Sequence, residues 1–211
     1  MARNQNGNGN FHYNNTEKKD KNFMYADMKR ANCYNCNFSG SNFDYVSFRG
    51  AHFKSCSFLN GTFKGAEFVG ANLKGSKFKE AVFENTIFDS VKLDGANFKD
   101  ATFKNVVFLG TDLKTAKNLD RSNKEIRIFE EMPKIEISEE LRNAVLGAME
   151  NEFVKKARIL DTKDGDIHLL NLMILLENFD EKTLIEGLNK IQTELDRDFH
   201  TLSYIIRYLN K

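Results

Sequence analysis

Tryptophan is absent from the 211 residues and proline occurs once, at Pro133; neither scarcity excludes a fold class. Cysteine is scarce as well. Cys33, Cys36 and Cys56 make an odd number confined to one short stretch, unlike the paired framework of a small secreted protein. No long apolar run is present: the longest, near Leu169–Leu176, is far short of the ~20 residues that span a bilayer. There is no excess of either charge, since Lys+Arg 31 against Asp+Glu 30 gives a net charge of +1. That balance argues against nucleic acid, and against an anionic membrane, as a general partner. The first ten residues, rich in Asn and Gly, lack the apolar stretch of a signal peptide. A cytoplasmic location is the expectation. At 41% hydrophobic and 29% charged, the chain can still bury a core and stay in solution.

What the chain does have is a period of five. Stepping from Phe23 by five residues gives 19 places ending at Leu113, and 18 of them are large and apolar, Cys33 being the exception. Of the 19 Phe in the chain, 14 fall in this register. Two residues before each place after the first stands a small one, such as Ala31, Cys36, Ser41, Ala51, Cys56, Ala71 and Ala96. The other three places are mostly Asn, Asp, Lys, Ser and Gly. A period of five matches neither the 3.6 of an α-helix nor the 2.0 of a flat strand. The chain must therefore turn a corner every five residues and send one large and one small side chain inward each time.

Segments such as Ala71-Asn72-Leu73-Lys74-Gly75 and Ala96-Asn97-Phe98-Lys99-Asp100 resemble the A(D/N)LXX unit of the pentapeptide repeat proteins. The resemblance covers about residues 22–117. It implies a β-solenoid, a right-handed quadrilateral β-helix with four pentapeptides per coil and just under five coils. Residues twenty apart then stack at about 4.8 Å, the spacing of paired strands, giving a rod of about 23 Å. Four interior columns follow, one of them Met28, Phe48, Phe68, Phe88 and Phe108.

The domain expectation is a mobile segment over 1–21, a β-helix over 22–118 and an α-helical cap or bundle over 119–211. The register stops at Asn118, and the charge changes sign there. Residues 23–118 carry 13 Lys+Arg against 9 Asp+Glu, and residues 119–211 carry 14 against 19. Ser122 with Glu125 has the form of a capping box for a short helix ending before Pro133. Ser138 is placed to cap a second helix running to about Ile159. The segment 161–166 reads as a turn, followed by an apolar helix over 167–178. Asp180 then precedes an amphipathic stretch with Leu184, Leu188, Ile191, Leu195, Phe199, Leu202, Ile206 and Leu209 along one face.

Little of this carries chemistry. Cys33-Tyr34-Asn35-Cys36 is a CxxC, but Cys33 takes a large interior place and Cys36 a small one, with Cys56 above it in the stack. All three are read as core fillers. The 161–166 turn lacks the spacing and the Glu of a calcium loop. His12, His52, His168 and His200 have no nucleophile or carboxylate at motif spacing, and no phosphate loop, dinucleotide fingerprint or nucleophile elbow occurs. No catalytic residue, metal ligand, cofactor or small-molecule substrate is expected. The assigned site is instead an interface. Val69, Ile87, Val107 and Leu109 point outward on one wall of the solenoid, where the fold itself does not need apolar residues. A protein partner or a homodimer would use that strip.

The functional expectation is a non-enzymatic interaction or scaffold protein, with a rigid β-helix and a helical part for self-association or partner binding. The family resemblance implies an alternative, because some pentapeptide repeat proteins mimic DNA and protect type II topoisomerases from drugs. Mimicry needs an anionic rod, and the repeats here are net positive, with Lys54, Lys64, Lys74, Lys79, Lys99, Lys104 and Lys114 on the walls.

Overall fold

The computed structural model describes residues 11–210, and the chain divides into two compact units between Glu131 and Met132. The first holds ten short strands: β1 (His12–Asn14), β2 (Asn32–Tyr34), β3 (His52–Lys54), β4 (Thr62–Lys64), β5 (Glu67–Val69), β6 (Val82–Glu84), β7 (Ile87–Asp89), β8 (Thr102–Lys104), β9 (Val106–Leu109) and β10 (Ile126–Phe129). All pair in parallel and each pairs with residues twenty positions away, as Phe63↔Phe83↔Phe103 and Phe68↔Phe88↔Phe108 show. The sheets are β1-β2-β3, β4-β6-β8 and β5-β7-β9-β10. A further wall is held by single bridges, Glu17↔Asn37↔Ser57↔Lys77↔Asn97↔Lys117. We number the walls in chain order: the first contains β1, the second this bridged file, the third β4 and the fourth β5.

The five-residue period produces this directly. From Asn15 to Gly110 the corner residue two places after each inward one takes a left-handed conformation, as at Gly75 (φ 69°) and Gly95 (φ 67°), and Asn and Ser take it elsewhere, as at Asn85 and Ser55. Every one of Phe38, Phe43, Phe48, Phe53, Phe58, Phe63, Phe68, Phe78, Phe83 and Phe88 is buried. Rings one coil apart stack nearly parallel, at 5.2 Å for Phe43–Phe63 and 5.0 Å for Phe63–Phe83. Offset stacks of this kind add about 0.5–1.5 kcal/mol per pair beyond burial. Polar residues at the small inward places bond to the backbone of the preceding coil. The Ser41 hydroxyl donates to the Lys18 carbonyl (3.0 Å) and accepts from the Lys21 N–H (3.1 Å), and Thr86 donates to the Phe63 carbonyl (2.6 Å).

The solenoid extends past 22–118 at both ends and makes about six turns, not just under five. Residues 11–21, expected to be mobile, hold β1, paired with β2, and the Glu17↔Asn37 bridge; residues 1–10 lie outside the described residues. Lys18 occupies an inward place in this first coil, with its ammonium 4.7 Å from the centre of the Tyr13 ring. At the other end the short helix expected from Ser122 and Glu125 is absent. The Asp120 carboxylate instead accepts from the Ser122 N–H (2.9 Å) and hydroxyl (2.6 Å), Glu125 accepts from the Asn105 N–H (3.0 Å), and the chain runs into β10. Ile126 and Ile128 fall opposite Val106 and Phe108, so one more wall joins the ladder. The register slips by one place here: Asn118 is exposed and donates its amide to the Asn97 side chain (2.7 Å), and Leu119 packs against the core instead, which hides this continuation from a count in steps of five.

The second unit contains α1 (Glu139–Met149), α2 (Glu152–Ala157), α3 (Leu169–Asn178), α4 (Glu181–Glu194) and α5 (Leu202–Leu209). Ser138 caps α1 by accepting from the Leu141 N–H (3.0 Å), and Asp180 caps α4 by accepting from the Thr183 N–H (3.0 Å). Two expected helices are each broken. The one from Ser138 stops at Met149, because Asn151 starts a new cap: its side-chain oxygen accepts from the Phe153 N–H (2.9 Å). Its amide nitrogen donates to the carbonyls of Ile191 (3.1 Å) and Leu195 (3.0 Å) at the end of α4. The long stretch from Asp180 turns extended at Leu195 and restarts at Leu202. That break resets the helical phase, so Ile205 is fully buried while Ile206 is half-buried. The core of this unit comprises Leu141, Val145, Leu170, Leu175, Leu184, Leu188, Ile191 and Ile205.

Candidate interaction surface

On the fourth wall the inward rings stack most closely, at 4.4 Å for Phe48–Phe68, 4.8 Å for Phe68–Phe88 and 4.6 Å for Phe88–Phe108. This column holds β5, β7 and β9 in register, and their outward residues lie in two files. One runs Glu67, Ile87, Val107, Arg127; the other runs Val69, Asp89, Leu109, Phe129. The four residues assigned from the sequence are thus on one wall. Ile87 and Val107 are direct partners, whereas Asp89 separates Val69 from Leu109. Ile87, Val107 and Leu109 are buried although they face outward, and Val69 is half-buried.

The other candidate groups are not brought together. Cys33, Cys36 and Cys56 are unbridged and buried in the places the register assigns them. Burial pushes the thiols of Cys33 and Cys56 up to about 12, so neither is a ready nucleophile. His52 stands on the first wall, while the His168 ring caps α3 by accepting from the Asn171 N–H (3.3 Å). Among the described residues no group of three His, Cys, Asp or Glu side chains is placed to hold a metal ion, and no helix is long and apolar enough to cross a membrane.

One feature escaped a reading in steps of five. Tyr25 and Tyr45 stand at the same corner of successive coils and stack at 5.1 Å. Their separation of twenty residues was the available signal.

A family model for pentapeptide repeats matches in eight copies, over residues 22–60, 31–68, 66–105 and 88–117. Residues 22–117 belong to the pentapeptide repeat family. Solved structures of pentapeptide repeat proteins are similar to this solenoid. Rfr23 from the cyanobacterium Cyanothece 51142 is 15% identical, with 51% of this chain and 87% of that chain covered and a TM-score of 0.30. HetL, involved in heterocyst differentiation regulation in the cyanobacterium Nostoc sp. strain PCC 7120, is 22% identical over 57% of this chain and 52% of its own, with a TM-score of 0.27. QnrB1, a plasmid-mediated fluoroquinolone resistance protein, is in its full-length form 16% identical over 56% of this chain and 82% of its own, with a TM-score of 0.19. Among curated proteins none matches. The pentapeptide repeat match ends at residue 117, before β10 and the five helices.

Proposed function

We propose that this is a non-enzymatic cytoplasmic interaction protein, in which the pentapeptide repeat solenoid is a rigid support for a protein-binding wall. Val69, Ile87, Val107 and Leu109 supply its apolar contacts. The observation that carries this reading is the apolar character of outward places on the fourth wall. The inward Phe column there is already complete, so these side chains add nothing to the solenoid core; Ile87, Val107 and Leu109 are buried in the folded chain, so a partner reaches the strip at half-buried Val69 or by displacing what covers the other three. Unbridged, buried cysteines suit a reducing compartment.

Val107→Asp tests the proposal. The variant should keep the β-helix, because Phe108 and its stack are untouched. It should lower the mass seen by light scattering or raise hydrogen exchange outside the repeats. Unchanged mass together with unchanged exchange would overturn the assignment of this wall.

A further inference from the structure

The near-zero net charge conceals a separation of charge by wall. On the third wall the lysines are neutralised in file: Lys64 and Lys104 both pair with Glu84, at 3.3 and 3.6 Å. The edge between the first and second walls is different. Its corner is built from Ser55, Gly75, Gly95 and Thr115, which are small and uncharged. Lys54, Lys74 and Lys114 flank it on the first wall and Lys77 and Lys117 on the second, all exposed. Among the described residues none of these five is in an ion pair, and the only acid in the two flanking files from Lys54 to Lys117 is Asp94. Glu17, the one other acid of those files, lies three rungs from Lys77 in the first coil. The β-helix sets the files at about 4.8 Å per rung, so the cations line a straight edge of about 14 Å. Tyr34, 52% exposed, continues the first file directly below Lys54.

We infer that this edge binds a nucleic-acid strand through its phosphate backbone, without regard to sequence. Five unpaired lysines in two adjacent files, interrupted only by the acid Asp94, supply the counterion-releasing contacts of such binding, and Tyr34 offers a base one stacking face. A protein partner would need an apolar patch at the centre of its contact, which this edge lacks. A membrane surface is broad and flat, and would also meet the acids of the next corner, Glu80, Asp100 and Asp120. A single strand is narrow enough to follow the basic edge alone.

The test uses the full chain and a fluorescent 20-nucleotide single-stranded DNA. Binding at 50 mM salt should lie in the tens of micromolar and weaken roughly 60-fold by 200 mM, a log–log slope of about −3 for four to five phosphates. Lys74→Gln/Lys77→Gln/Lys117→Gln should weaken binding at least tenfold and reduce the slope by about 2. The corresponding triple Arg variant should retain it, and Lys64→Gln/Lys104→Gln should change it less than twofold. No binding at 50 mM salt, an equal loss in the third-wall control, or binding to polyglutamate or phosphatidylserine vesicles as tight as to DNA would overturn the inference.

Discussion

The two units of this chain reach a buried core by opposite means. In the solenoid one rule, a large residue every fifth place, is applied from end to end, and each coil presents the next with a copy of itself. In the helical unit no rule repeats, and single polar or small residues fix the geometry: Asn151 ends one helix contact and begins another, and Gly187 leaves room for Leu209 where a Cβ would collide. The difference shows where each unit is vulnerable. Stability in a repeat array is a sum of nearest-neighbour terms, so damage stays local and its size follows cavity volume. In the helical unit damage follows the number of bonds one residue makes.

The largest expected effect is in the repeats. Phe68→Ala empties a place between Phe48 and Phe88 and should cost about 3–5 kcal/mol by urea unfolding. A cost below about 1 kcal/mol would mean the stack does not carry the fold. Next is Asn151→Ala in the helical unit, expected to cost about 2–3 kcal/mol, because a cap and two carbonyl partners are lost together. Asn151→Asp keeps the cap and should recover part of that cost; no difference between Asn151→Asp and the unsubstituted protein would show that the bonds to Ile191 and Leu195 contribute nothing.

A third experiment separates the units by pH. The Cys56 thiol is raised from 9.0 to about 12 by burial, so it stays protonated in the folded chain when the unfolded chain has ionised. Its stabilising share is complete below about pH 9 and is lost as pH rises towards 12; at pH 10.5 the loss is about 2 kcal/mol. Cys56→Ala should therefore show a smaller fall in the urea midpoint between about pH 8 and pH 10.5 than the unsubstituted protein. Equal falls would place the alkaline sensitivity elsewhere. The smallest effect is Ser138→Ala, which removes the cap of α1 and should cost about 1 kcal/mol. Melting of the helical unit monitored by circular dichroism would register it, with the repeats unaffected.

The same contrast governs how much could be read from the amino-acid order. The inward register was legible because Phe and Leu mark it at nearly every step, and Cys33, Cys36 and Cys56 were placed correctly as fillers by position alone. The two ends were not. Lys18 occupies an inward place without the apolar mark, Leu119 packs on the core one place off the register where Asn118 is exposed, and Ser122 with Glu125 imitates a helix cap while serving a turn into β10. In the helical part Ser138 and Asp180 were visible caps. The break at Asn151 was not, because it depends on bonds between residues about forty apart in sequence, and the same bonds meet the chain where α4 turns extended at Leu195. Of the proposed interface residues, the shared wall followed from the period, while the intrusion of Asp89 between Val69 and Leu109 needed the ladder. The basic edge needed it too, since net charge averages over walls that the β-helix keeps apart.

On this reading the repeats display a cationic edge and an apolar wall, not the anionic surface of a DNA mimic. A supercoiling assay with a type II topoisomerase and a quinolone tests this most directly. The protein should give no protection at low micromolar concentration, and protection in that range would contradict the reading.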